Sequence, residues 1–277
     1  MVINTLKLEE IYKPISDDLS LVRQELREVE KSLSSDLTKE VFEHFFKNPG
    51  KLLRPSLVLL SAGTCSQAEM NKQKSKLIKL AVAIEMIHGA SLVHDDIIDG
   101  DEERRGQKTL NKVFGSKTAV LAGDVLYSRA FSILSGTFPE EFSQLILKVT
   151  KRMSIVEIGQ LISPNLPGMR EQYLELINGK TALLMGACCT LGAKLTGVSE
   201  QSVALMGNYG MKFGMTYQIV DDFMDNDPLG TGNVKLEEAE KYAGEAKHSI
   251  SGFKNSECKK SLMDLLEYVL SFSHSNS

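Results

Sequence analysis

Apolar residues recur at three- and four-residue steps along most of the chain, the spacing of a helix with one buried face. Leu19, Val22, Leu26, Val29 and Leu33 set this pattern within residues 6–48, with Ser16 or Asp17 as a start signal. Val41-Phe42 and Phe45-Phe46 follow, then the turn signal Asn48-Pro49-Gly50. The same reasoning predicts helices over Leu57–Ala62, Leu77–Ile98, Leu110–Phe114, Ala119–Leu134, Phe142–Met153, Ile155–Ile162 and Met169–Ile177, with a polar loop over Ser66–Lys76. Beyond the uncharged run Thr181–Ala193 lie a break at Asn226–Asn233 and amphipathic helices over Leu236–Ser249 and Glu257–Phe272. Strand signals are few and no linker divides residues 1–277, so the expectation is a single all-α domain of roughly ten or more helices.

Two stretches interrupt this apolar regularity. Ser91-Leu92-Val93-His94-Asp95-Asp96-Ile97-Ile98-Asp99 ends in a D-D-x-x-D pattern, and Gln218-Ile219-Val220-Asp221-Asp222-Phe223-Met224-Asp225 repeats it after a second uncharged run. On a helix the first and last aspartates of each trio share a face one turn apart. Carboxylates placed so closely repel unless a cation sits between them, and hard oxygen donors with room for water suit Mg²⁺ carrying a phosphorylated substrate.

The 277 residues hold 42% hydrophobic and 25% charged side chains, ordinary for a water-soluble protein. A net charge of −4 argues against a nucleic-acid binder, so an anionic substrate needs local basic clusters. Lys51 and Arg54 supply one at a helix start, where backbone N–H groups also point outward. Arg104 and Arg105 supply another behind the first trio, and His88 lies two turns before it. Lys180, in apolar surroundings, calls for a partner such as a phosphate oxygen. Gly179-Lys180-Thr181 is not a phosphate-binding P-loop, since neither the preceding glycine pattern nor a strand is present. Cys65, Cys188, Cys189 and Cys258 form no C-x-x-C pair, which points to reduced thiols and a cytoplasmic location. The acidic amino terminus is neither a signal nor a transit peptide, and Thr181–Ala193 is too short to span a bilayer.

Together, Gly50-Lys51-x-x-Arg54-Pro55, the first acidic trio with Arg104-Arg105-Gly106, Gly123-Asp124, Gly179-Lys180-Thr181 and Gln218-Ile219-Val220-Asp221-Asp222-x-x-Asp225 resemble the trans-isoprenyl diphosphate synthases. The resemblance runs from about Gly50 to about Asp225 and implies an all-α isoprenoid synthase bundle, usually a homodimer, with the acidic motifs facing one central cavity. It implies that Asp95, Asp96, Asp99, Asp221, Asp222 and Asp225 bind Mg²⁺ ions bridging to an allylic diphosphate, which Arg104 also contacts. It gives Lys51, Arg54, His88 and Arg105 to isopentenyl diphosphate, and Lys180, Thr181 and Gln218 to the reacting centre.

Two positions depart from the family pattern: Leu52 stands where a second basic residue is usual, and the Gly- and Lys-rich closing loop after the second trio is represented only by Lys235. Either that loop is lost or the sequence omits a segment around Gly230 to Asn233, and omission is the reading we favour, since a closing loop is the kind of element often disordered. Chain length in this family is set by bulk four and five positions before the first trio, here the small Ser91 and Ala90. The expected tunnel continues past Ile87 and Met86 to a floor at Phe131 or Leu134. A helix rises 1.5 Å per residue, so the depth fits a product of about thirty to forty carbons. Three rivals stand beside this reading: a short-chain farnesyl or geranylgeranyl synthase, a non-catalytic subunit of a heteromeric synthase, and a terpene cyclase. The cyclase would have little use for a second diphosphate site.

Overall fold

The computed structural model describes residues 7–162, 170–225 and 234–274. It is all-α, with more than ten helices among the described residues. The helices are α1 (Leu8–Ile11), α2 (Ser16–Leu33), α3 (Lys39–Phe46), α4 (Leu53–Cys65), α5 (Gln67–Lys72), α6 (Lys74–Asp99), α7 (Leu110–Phe114) and α8 (Ser116–Thr137). They continue through α9 (Glu140–Ile162), α10 (Arg170–Ile177), α11 (Leu183–Lys194), α12 (Glu200–Met224), α13 (Leu236–Ser249) and α14 (Glu257–His274).

These helices form two compact units interleaved along the chain. One takes residues 1–16, 57–73 and 144–277; the other takes residues 17–56 and 74–143. In the first, α11 and α12 pack along each other and α13 packs on α12. Their core includes Tyr209, Phe213, Leu184 and Leu262, all essentially without solvent exposure. The Tyr209 hydroxyl donates to the Leu262 carbonyl at 2.6 Å, so this large side chain is buried without an orphaned polar atom. In the second unit α6 packs along α8. There, Leu19, Val22, Leu26 and Val29 of α2 are all buried, as their spacing demands.

Several boundaries differ from those read in the sequence. Helix α4 begins at Leu53, because Pro55 is tolerated in a first turn where backbone N–H groups have no intrahelical partner. The stretch taken for a polar loop over Ser66–Lys76 instead holds α5. The Ser66 hydroxyl caps it by accepting from the Glu69 backbone N–H at 3.3 Å. Residues 142–162 form one helix rather than two. A short hairpin, β1 (Glu103–Arg104) and β2 (Gln107–Lys108), was not foreseen; two-residue strands carry too little periodicity to read.

Helix α6 and the continuous run Arg170–Lys194 are long and apolar enough to cross a membrane, but 72% of each apolar window is buried inside the protein. Their apolarity is therefore accounted for by packing.

Candidate active site

Helix α6 carries the first trio to its end. Asp99 is exposed and Asp95 half-buried, whereas Asp96 is only 5% exposed. Asp96 accepts a hydrogen bond from Arg104 Nε, and Arg104 Nη2 reaches Asp101 at 3.1 Å. Burial lifts the Asp96 carboxyl above its ordinary value, with Arg104 opposing that shift. Arg104 is thus an internal partner of the acidic motif in this structure.

The hairpin is what turns Arg104 inward. Arg105 (φ 55°) and Gly106 (φ 73°) occupy its two-residue turn, both left-handed, as such a turn requires to match the twist of the strands. The turn is pinned from outside: Asn48 Nδ2 donates to the Arg105 carbonyl at 3.1 Å and Gln107 Nε2 to the His44 carbonyl at 2.7 Å. Leu52, in the family's basic position, is buried with φ 51°. A lysine or arginine here would bring its charge toward the core, so the substitution follows from the packing.

A pocket of about 100 Å³ opens in this unit, lined on its polar side by Glu85, His88, Asp96, Arg104 and Arg105 and on its apolar side by Phe45, Phe46, Met86 and Leu92. Glu85 and His88 lie three residues apart on α6 and so share its face. Burial, with the positive charges of Arg54, Arg105 and Arg104, holds His88 well below its ordinary value. It is therefore a neutral imidazole that can hydrogen-bond an anion. Burial raises the Glu85 carboxyl to about 7 against the opposing pull of Arg54 and Arg105. Glu85 was not singled out from the sequence, because one glutamate on an apolar helix has no motif around it. Lys51 is exposed and Arg54 half-buried, at the start of α4.

In the other unit the second trio shows the same arrangement. Asp221 and Asp225 are exposed and Asp222 is 8% exposed. Asp222 Oδ2 accepts from the Tyr173 hydroxyl at 2.5 Å, and Asp222 Oδ1 accepts from Gln218 Nε2 at 2.8 Å. Gln218 Oε1 accepts from the Thr181 hydroxyl at 2.7 Å. Gly214, one turn before Gln218, permits this approach: a Cβ there would lie 2.5 Å from the Ala182 Cα. Lys180 and Thr181 fall in a π-helical turn, Asn178–Ala182, the kind of local widening that frequently marks functional positions. Lys180 Nζ pairs with Glu157 of α9 at 2.9 Å. Neither Glu157 nor Tyr173 belongs to a recognisable motif.

Ala90 is fully buried on α6, and the Ser91 hydroxyl donates back to the His88 carbonyl at 2.8 Å. Phe131 is half-buried on α8 and Leu134 is fully buried. The proposed closing-loop positions Gly230–Asn233 lie outside the described residues.

Magnesium fits the outer carboxylates by donor chemistry: Asp95 with Asp99, and Asp221 with Asp225, are hard oxygen donors one turn apart that reach solvent. Among the described residues no three His, Cys, Asp or Glu side chains form a ready-made metal cage.

Residues 35–230 match the sequence pattern of the family described as Polyprenyl synthetase. A geranylgeranyl pyrophosphate synthase of Geoglobus acetivorans is 36% identical over 217 residues, covering 76% of this chain and 66% of that protein. Heptaprenyl diphosphate synthase component 2 of Bacillus subtilis is 33% identical over 226 residues, covering 80% of this chain and 63% of its own length. The chain therefore spans about two thirds of these relatives or slightly less. Among solved structures, a polyprenyl synthase from Caulobacter crescentus, complexed with calcium and isoprenyl diphosphate, superposes with a TM-score of 0.82 at 22% identity. The match covers 97% of this chain and 98% of that one, which establishes the shared fold. With more than half of its length matched by the family pattern, and both acidic trios and the basic positions within the matched span, this chain belongs to the polyprenyl synthetase family.

Proposed function

We propose that the protein is a magnesium-dependent trans-prenyltransferase that joins an allylic diphosphate head to tail with isopentenyl diphosphate. The observation that carries the reading is the repeated arrangement of the two trios, each with a middle aspartate held by protein partners and outer aspartates left at the surface. Bound at the outer carboxylates, Mg²⁺ supplies charge neutralisation for departing diphosphate, and the calcium complex of the Caulobacter protein supports divalent-ion use. Arg54, Arg105, neutral His88 and exposed Lys51 hold the second diphosphate by charge and hydrogen bonding. Asp222, an acceptor only, fixes the amide nitrogen of Gln218 toward itself and so the amide oxygen toward Thr181. Thr181 gives its proton to that oxygen, leaving its lone pairs rather than its proton available to positive charge developing on an allylic carbon.

The small Ala90 and Ser91 support a product of about thirty to forty carbons, each added unit needing roughly one further helical turn of tunnel. The relative named a geranylgeranyl synthase favours a shorter product, and the one named component 2 favours a heteromer. Exposed Val120, Leu121 and Val125 on α8, and Ile155, Ile158 and Ile162 on α9, support association into a dimer. The four cysteines, none of them in a C-x-x-C pair, accord with a reducing, cytoplasmic setting.

The test is incubation with labelled isopentenyl diphosphate and farnesyl diphosphate, with Mg²⁺ and with chelator, followed by mass analysis of the products. Magnesium-dependent chain extension is expected. Loss of farnesyl diphosphate without incorporation of isopentenyl units would instead assign a cyclase, and no turnover of either substrate would assign a partner-dependent subunit.

A further inference from the structure

We infer that Tyr173 is a positioning residue of the reacting centre, acting through Asp222 and Gln218 on Thr181, with none of its own atoms needed on substrate. This inference rests on the proposed prenyl transfer.

The argument begins with the orientation of the Gln218 amide. Its oxygen and nitrogen differ only in what they can do: one accepts and the other donates. A flipped amide would place its oxygen 2.8 Å from Asp222 Oδ1, oxygen against carboxylate, with no proton between them. Asp222 therefore decides the orientation, provided that Oδ1 stays where it is. The other oxygen helps to keep it there. Tyr173 donates to Oδ2 at 2.5 Å from α10, and its ring is 4% exposed, so the hydroxyl has little freedom to follow a rotating carboxylate.

Every proton in the chain then has a defined direction. Tyr173 and Gln218 both donate to Asp222, and Thr181 donates to Gln218. If the phenol is removed, the carboxylate loses one of its anchors, the amide is held less firmly, and Thr181 can more readily present its proton where its lone pairs stood. An oxygen that repels positive charge with its proton in place of attracting it with its lone pairs raises the barrier without altering either diphosphate site. The expected signature is consequently a fall in kcat with KM unchanged for both substrates.

Tyr173→Phe removes the hydroxyl alone. A fall in kcat of about ten- to a hundredfold is expected, the range for one charge-assisted hydrogen bond. In a Gln218→Met background the same change should have no further effect, because the route from Tyr173 to Thr181 is already cut. A second measurement needs neither metal nor turnover. The Gln218 side-chain amide protons, followed by nuclear magnetic resonance, should exchange slowly in the parent protein and at least tenfold faster in Y173F, at equal thermal stability. Equal losses in kcat with and without Gln218 would overturn the inference, as would unaltered amide exchange in Y173F. If Y173F does not fold, rapid exchange of the Gln218 amide in the parent protein serves as the overturning result. A parent protein that fails to condense the two diphosphates defeats the proposed function instead, while the amide exchange still decides the coupling.

Discussion

The guanidinium of Arg105 lies where a side chain on residue 50 would begin: a Cβ on Gly50 would sit 2.2 Å from Arg105 Nη1. Gly50 also has φ +68°, so glycine is required there twice over, for its backbone and for the space above it. The basic motif beginning at Gly50 and the arginine pair behind the first acidic trio are thereby one structural feature, although more than fifty residues separate them in sequence.

Gly50→Ala should displace Arg105 and cost about 1 kcal/mol of stability from backbone strain. The expected outcome in steady-state kinetics is a KM for isopentenyl diphosphate raised roughly tenfold, the loss of one charged contact, with kcat little changed. An unaltered KM would remove Arg105 from that site.

The middle and outer aspartates should separate in a mutational series. Asp96→Asn removes one of the two carboxylates that Arg104 pairs with and should lower stability by about 1–3 kcal/mol, less than for a wholly buried pair because a third of the arginine side chain is exposed. Asp95→Asn and Asp221→Asn should keep the melting temperature of the parent and lose turnover, with Mn²⁺ binding in the presence of pyrophosphate weakened. Calorimetry beside a Mn²⁺ titration checks the division, which fails if Asp95→Asn and Asp96→Asn behave alike.

Glu85 predicts a pH dependence of stability. Burial raises its folded-state value to about 7, above the unfolded value of about 4.3, so the folded protein binds the extra proton between them. Its contribution is fully present below about pH 4.3 and is lost as pH rises through 7. Relative to Glu85→Gln, the parent should lose up to about 3 kcal/mol between pH 4.5 and 7.5, with the difference flat above that. In urea titrations across this window the midpoint of the parent should fall relative to that of Glu85→Gln as pH rises, and a constant difference would place Glu85 in solvent.

Ala90→Phe should shorten the product, since a ring on the buried face of α6 would fill the path assigned to the growing prenyl chain. Reversed-phase separation of the dephosphorylated products reads the length directly. Loss of stability by about 1–3 kcal/mol with product length unchanged would show that Ala90 serves only helix packing.

The apolar periodicity of this chain was enough to establish an all-α fold. Each trio's outer aspartates were legible for the same local reason: positions i and i+4 of a helix share a face whatever surrounds it. The resemblance to the family also pointed to both acidic trios and to the basic residues near the first. Local periodicity has no means of announcing a partner that arrives from elsewhere. That Asp96 is held by Arg104, Asp222 by Tyr173 and Lys180 by Glu157 depends on a hairpin turn, on α10 lying beside α12 and on a neighbouring helix. Burial, which removes competing water and makes such partners matter, is decided by tertiary packing alone.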